Sequence, residues 1–382
     1  MAEMPLIALS LLAVVLLEHS TTSPRRLLWT LGGGLTLAAA FIMRTSAIFL
    51  VAAVFGWLLL RRQVRSAVVV GCVVAVCVLP WLIRSAANPT SGSPVVGSYI
   101  DQLLASETYA TQRIDAAGLL ARGLSNAGEY VRLHGPAMIW PHSERLPAVL
   151  RTLLGAVFTL VAAWGLVVGW RRAPGLAELY TVIFVASTLV WPWRAPRFLL
   201  PALPFLLMAL VVGGEHLVRH LAQRLGLAGG GRWLALAGLI GLMLSPLWVS
   251  TAASGANVQR DRQVPVAETL AAQPGWTGYL DALARLQMTT ADDSVIMARN
   301  ARMAYLLIRR RGVDYPYTTD PAALARVIDG SGVDYIIEDQ FTWTATTGQF
   351  LVPAMQALRD RFVLEFETGT PPTRVWRVLP GK

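Results

Sequence analysis

Eight apolar runs, near residues 4–18, 27–43, 45–60, 66–83, 150–169, 176–192, 198–214 and 233–252, divide this chain, and arginine dominates the short polar stretches between them. A helix needs about 20 apolar residues to cross a hydrocarbon core of ~30 Å, and several of these runs only just reach that length. Upright or partly re-entrant helices are therefore expected. With 54% hydrophobic and 15% charged side chains, and a mean hydropathy of +0.51, the chain is too apolar for water to be its main solvent. The expected fold is a polytopic α-helical membrane protein with about eight transmembrane helices, a multi-pass protein of the cell membrane.

The basic residues set the expected orientation. Arg25 and Arg26, then Arg61, Arg62 and Arg65, then Arg171 and Arg172, then Arg219, Arg224 and Arg232 fall in alternate gaps, so eight crossings place all four clusters on one face. The positive-inside rule makes that face cytoplasmic, which puts the loop 85–149 and everything after 253 outside. Both ends of the chain then lie outside too. The opening MAEMPLIALSLLAVVLLE has no basic residue ahead of its first run, which predicts that one or more helices precede it in a longer protein. The alternative is that the first, short run does not span. The net charge of +10 is explained by these topological clusters rather than by nucleic-acid binding. Lys382 is the single lysine, so a Walker lysine or a Schiff-base lysine within the fold is excluded. Cys72 and Cys77, five apart on one apolar helix, point in different directions and read as small core residues.

Residues 1–252 thus form the expected transmembrane domain. Its outer loop 85–149 carries amphipathic stretches, IDQLLASETYATQRI and GLLARGLSNAGEYVRLHG, expected to lie on the membrane surface. From 253 to 382 the pattern changes. SVIMA, VDYPYT, VDYIIED, VLEFETG and TRVWRVL read as strands, and RMAYLLIRRRG, DPAALARVIDGSG and FLVPAMQALRDRF as helices between them. That alternation predicts a small extracytoplasmic α/β domain of about 130 residues.

Three features carry candidate chemistry. In WPWRAPRFLLPALPFLL, Arg194 and Arg197 stand at the outer end of a span beside a proline-broken helix start, where two guanidinium forks can clamp a phosphate. The competing reading is interfacial snorkelling beside Trp191 and Trp193. Arg44 in AAAFIMRTSAIFL and Arg84 in LPWLIRSAANP also fall on the outer side, against the charge rule, and are expected to converge with that pair on an anionic ligand; hydrogen bonding to nearby carbonyls or headgroups is the alternative. The outer loop offers Asp101, Glu107, Asp115, Glu129, His134, His142 and Glu144 as candidate bases, none at metal-ligand or paired-carboxylate spacing. His134, in LHGPAMIWPH, is the best placed, because the flanking Gly, Pro and Trp predict an ordered turn. His216 and His220, four apart, read as an interfacial helix surface.

The order of these features resembles the GT-C glycosyltransferases of the protein-mannosyltransferase and aminoarabinose-transferase kind. The likeness runs through LGGGLTLAAAFIMRTSAIFLVAAVFGWLLLRRQVRSAVVV, LPWLIRSA, a long outer loop and RFLLPALPFLL, and on into DSVIMARNARMAYLLIRRRGVDYPYT and GVDYIIED, which are similar to the outer domain of bacterial members. The resemblance implies transfer of a sugar from a polyprenyl-phosphate donor to a cell-envelope acceptor, a glycan, lipid or protein, at the outer face among membrane lipids. It implies that Arg194 and Arg197 match the family's arginine before the LLP run, Arg44 the basic residue after its Gly-rich helix and Arg84 the arginine after Pro-Trp. His134 remains a candidate acceptor contact. The family's catalytic acid lies in an outer loop upstream of this chain's start, so the chain is expected to be an N-terminally truncated transferase without that acid, Glu3 matching the start of a later helix. No cofactor is called for, no residue is assigned as a metal ligand, and a divalent metal is left open. The alternative is a non-catalytic scaffold that keeps the lipid-phosphate pocket. A transporter ranks last, since the spans hold no ion-coupling carboxylates and no inverted repeat.

Overall fold

The computed structural model describes residues 3–87, 103–104, 114–140, 143–192, 194, 196–226, 233, 237, 241, 275–341 and 346–380. The chain divides into two compact units, Met1–Asn88 with Ala116–Ala253, and Pro89–Asp115 with Ser254–Lys382.

In the first unit, seven of the eight apolar runs are helical. They form α1 (Glu3–Ser20), α2 (Arg26–Met43), α3 (Ile48–Leu60, entered through a 3-10 turn at Thr45–Ala47), α4 (Val64–Ala87), α7 (Ala148–Arg172), α8 (Leu176–Val190) and α9 (Leu203–Arg224). The eighth run, 233–252, lies outside the described residues apart from isolated positions. Among the described residues five helices are long and apolar enough to cross a membrane, while Thr45–Leu60 and Leu176–Val190 are shorter. Their outward side chains are what a bilayer requires: Val76, Val149, Leu160 and Val182 are all exposed. Two buried hydroxyls return to their own helix, Thr181 Oγ1 donating to the Ala177 carbonyl at 2.7 Å and Thr188 Oγ1 to that of Phe184 at 2.9 Å. Leu17, Leu37, Leu50, Trp57, Leu58, Leu176, Tyr180 and Phe205 form the core.

Polar contacts define the basic end of this bundle. Glu18 Oε1 accepts from the Leu176 N–H at 2.8 Å, joining the end of α1 to the start of α8. Trp57 Nε1 and Arg61 Nη2 donate to the Pro174 carbonyl at 3.1 and 3.0 Å, and Arg26 Nε donates to Ser66 Oγ at 3.2 Å. The first three arginine clusters therefore share one end, as the alternation of short loops predicts.

The fourth does not follow. Gly165 of α7 lies against the backbone of Ala209, and Gly213 of α9 against that of Val161. The order along one helix is the reverse of that along the other, so α7 and α9 run antiparallel. The ring of Phe205, near the start of α9, also packs on Tyr180, 5.2 Å between centroids, one turn into α8. The chain leaving the end of α8 must accordingly travel back before α9 begins. It does so through two 3-10 turns, Pro196–Phe198 and Leu200–Ala202, where Pro196, Pro201 and Pro204 withhold backbone donors from a continuous helix. Arg219 and Arg224 then point away from the basic end, and the count of crossings that placed residues after 253 outside loses its fourth cluster.

Between α4 and α7 the loop contributes α5 (Ala116–Glu129), a π-helical turn (Tyr130–His134) and α6 (Gly135–Ile139). IDQLLASETYATQRI falls almost wholly outside the described residues.

The second unit is a five-stranded sheet in the order β2-β1-β3-β5-β4. β1 (Val295–Ala298), β2 (Arg311–Asp314) and β3 (Tyr335–Glu338) are mutually parallel, while β5 (Thr373–Val378) runs antiparallel to β3 and to β4 (Phe362–Thr368). Helices α11 (Ala301–Ile308) and α12 (Pro321–Ser331) make the crossovers, and α13 (Val352–Ala357) precedes β4. Both faces are covered: Ile296, Ala298 and Ile337 face Tyr279, Leu283 and Leu286, whereas Val295, Met297 and Ile336 face Leu324, Ile328 and Leu351. The first group sits on α10 (Trp276–Thr289), a helix the sequence reading does not include. The second strand is earlier than VDYPYT: Pro316 cannot donate to a ladder, and Tyr315 is buried with its hydroxyl 3.0 Å from both Thr346 and Thr347.

Beyond the carboxyl ends of the neighbouring strands β1 and β3 stand Arg299 and Asp339, a buried ion pair at 3.5 Å, with the guanidinium 4.5 Å from the Phe341 ring centre. Burial pushes the Asp339 carboxyl above the usual carboxylate range, against the pull of Arg299. The folded chain thus holds this proton more tightly than the unfolded one, so the contribution is full below about pH 4 and is lost as pH rises through the folded value. Asp339→Asn is expected to flatten the decline in stability above about pH 4, read as hydrogen-exchange protection of β1 and β3 across a pH series. In the first unit, Gly213→Leu is expected to force α7 and α9 apart at a cost of about 1–3 kcal/mol, lowering the melting temperature in detergent. Val211→Leu, at an exposed position on the same helix, should leave it unchanged.

Candidate functional site

The site is built where α5 meets the end of α8. The last carbonyls of α8 have no partner within their own helix. Asn126 Nδ2 donates to the carbonyls of Leu189 at 2.6 Å and Trp191 at 2.9 Å, and Arg122 Nη1 donates to that of Val190 at 3.3 Å. Both side chains are buried. Arg122, Asn126 and Glu129, spaced i, i+4, i+7, occupy one face of α5, so docking the first two carries the third to the same place.

There Glu129 Oε2 receives Arg194 Nη1 at 2.8 Å, while His134 Nε2 lies 3.3 Å from Glu129 Oε1. The carboxylate and the guanidinium are about a quarter exposed, at 27% and 28%, and the imidazole 16%. His134 is held edge-on to Tyr130, 5.1 Å between ring centres. The expected ordered turn around His134 is instead a π-helical segment continuing α5. The Gly135 N–H bonds the carbonyl of Tyr130, five residues back, and Pro136 follows at the start of α6 with no N–H to offer. The wider turn is what lets Glu129 and His134, five apart, face one another.

The other expected phosphate ligands are placed differently. Arg197 lies in the 3-10 turn after the break, exposed, its guanidinium 5.4 Å from its neighbour Phe198, and it forms no ion pair with a described carboxylate. Arg84 is exposed in the last turn of α4. Arg44 caps the end of α2 and is ion-paired to Glu3 at 2.7 Å. The structure thus gives Arg44 an acidic partner of its own, because the antiparallel α1 and α2 place Glu3 at the end of the hairpin where α2 finishes. Asp101, Glu107, His142 and the side chain of Glu144 lie outside the described residues. His216 Nδ1 accepts from Trp164 Nε1 at 3.2 Å, tying α9 to α7. Among the described residues no three His, Cys, Asp or Glu side chains cluster closely enough to hold a metal ion.

Glu129, placed behind His134 among the candidate bases by sequence, is the carboxylate that the structure brings to Arg194. Its signal is the polar i, i+4, i+7 face of a helix with two apolar sides, which indicates polar partners rather than solvent.

No family model matches the chain, and no curated protein does. Among solved structures it is similar to the archaeal oligosaccharyltransferase AglB from Archaeoglobus fulgidus, determined with an inhibitory peptide and a dolichol-phosphate. The identity is 13% and the TM-score 0.41, over 88% of this chain and 51% of that one. The chain therefore spans about half the length of that protein.

Asn126→Ala is expected to release two carbonyls at the end of α8 and loosen α5 by about 1–3 kcal/mol. The readout is faster hydrogen exchange or protease cleavage within 116–139, with α1 and α2 unaffected.

Proposed function

We propose that this chain is a membrane glycosyltransferase of the GT-C kind, moving a sugar from a polyprenyl-phosphate donor to a cell-envelope acceptor at the end of the bundle opposite its first three basic clusters. The observation that carries the reading is Arg194 beside a broken, proline-rich helix start, held by a partly exposed carboxylate that an incoming phosphate can replace. The pair is only part-buried, so water and headgroups offset much of its attraction. Two or three charge-assisted hydrogen bonds from a guanidinium to phosphate are worth more. Arg197, exposed three residues on, supplies a second cation. Arg84 is a further candidate at the same end, and Arg44 a weaker one, since Glu3 already engages it. The same cations stabilise the charge that develops on the departing polyprenyl phosphate. His134, beside Glu129 at the same corner, is the candidate acceptor contact.

The test is binding of undecaprenyl phosphate to the protein in lipid nanodiscs. Arg194→Ala and Arg197→Ala are expected to weaken binding roughly ten- to a hundredfold, as the loss of a charged hydrogen bond implies, while Arg172→Ala at the basic end leaves it unchanged. Equal losses in all three variants would refute the assignment of the phosphate site.

A further inference from the structure

The geometry points to Glu129 as the group that takes the acceptor's proton, uncovered as a base when the donor phosphate draws Arg194 away from it. This inference rests on the phosphate site proposed above. In the resting arrangement Glu129 is clasped on one oxygen by Arg194 at 2.8 Å and approached on the other by His134 at 3.3 Å. While Arg194 occupies Oε2, that oxygen is not open to an acceptor's hydroxyl or amine. Once Arg194 turns to phosphate, Glu129 loses its counter-charge and gains an anion nearby. The freed Oε2 can then accept the acceptor's hydrogen, the contact that general base catalysis needs. Donor binding and base activation are thereby one event.

Among the described residues, the charged and titratable groups near this corner are Arg122, Tyr130, Arg132 and His134 on the run that carries Glu129, Arg151 at the start of α7 and Arg194 after α8, while Arg171, Arg172, Glu178 and Tyr180 lie toward the far ends of α7 and α8. Of these, Arg194 makes an ion pair with Glu129, and His134 Nε2 lies 3.3 Å from the other carboxylate oxygen. The acceptor's hydroxyl or amine lone pair forms the new bond to the anomeric carbon, and the bond from that carbon to the phosphate oxygen breaks. The electron pair leaves with polyprenyl phosphate onto Arg194, and the acceptor's proton passes to Glu129, from which His134 or solvent removes it.

The coupling is measurable without knowing the sugar. Undecaprenyl phosphate is titrated into the protein in nanodiscs at about pH 5.5, in two buffers of different ionisation enthalpy, so that calorimetry reads protons taken up on binding. The lipid phosphate is common to every measurement, so differences between variants report the protein, and the His134→Gln variant separates the imidazole from Glu129. Glu129→Gln is expected to bind about two- to fivefold more tightly, since Arg194 no longer has a competing carboxylate, and to lose a fraction of a proton of uptake relative to wild type. Glu129→Asp should retain the uptake, and a melting temperature for each variant separates these effects from misfolding. Affinity and proton uptake unchanged in a folded Glu129→Gln overturn the proposal while leaving the phosphate site intact. Uptake lost in His134→Gln but kept in Glu129→Gln overturns it in favour of the imidazole. A wild-type protein that binds no undecaprenyl phosphate overturns the phosphate site, and this coupling with it.

Discussion

The carbonyls that end α8 are the point on which the arrangement of this molecule turns. A helix that stops inside or at the edge of a bilayer leaves acceptors that hydrocarbon cannot satisfy, and each unsatisfied group costs several kcal/mol. Here the amide of Asn126 and the guanidinium of Arg122 meet three of those carbonyls. That requirement fixes α5 against α8, and fixing α5 brings Glu129 to Arg194. Structural capping and candidate chemistry are therefore one constraint: the helix break that exposes Arg194 also creates the acceptors that dock its carboxylate partner.

A second constraint is close packing between α7 and α9. Gly165 and Gly213 let the two backbones touch, as small residues do where lipid offers no hydrophobic drive between helices. Touching in antiparallel order obliges the chain to return alongside α8 before α9 starts, and the proline-rich 3-10 turns are the segment that makes this return. Arg197 rides on that segment, while Arg194 remains at its entrance. The two arginines, three apart in sequence, consequently have different surroundings. One is held by a carboxylate and the other is open to solvent or headgroups.

The second unit follows ordinary α/β logic, with parallel strands buried on both faces and an antiparallel pair at one edge. Its charged pair Arg299–Asp339 stands at the carboxyl ends of adjacent parallel strands, where such sheets commonly place polar groups, and here burial and the Phe341 ring enclose it.

The sequence by itself determined the seven helices now described from its apolar runs, the shared end of the first three arginine clusters, and the α/β character of the C-terminal part. These are legible because hydrophobicity and its period are local properties of a chain, as are the proline break before α9 and the arginines beside it. Tertiary structure alone decided the direction of α9, the pairing of Arg44 with Glu3 and the meeting of Glu129 with Arg194, 65 residues apart. Helix α10 and the true position of β2 also became clear only there, since both are settled by what packs against the sheet. The reason is the same in each case. Apolar length says that a helix forms, but which polar groups face one another depends on close contacts and on backbone acceptors needing partners, and neither is written in any one stretch of sequence.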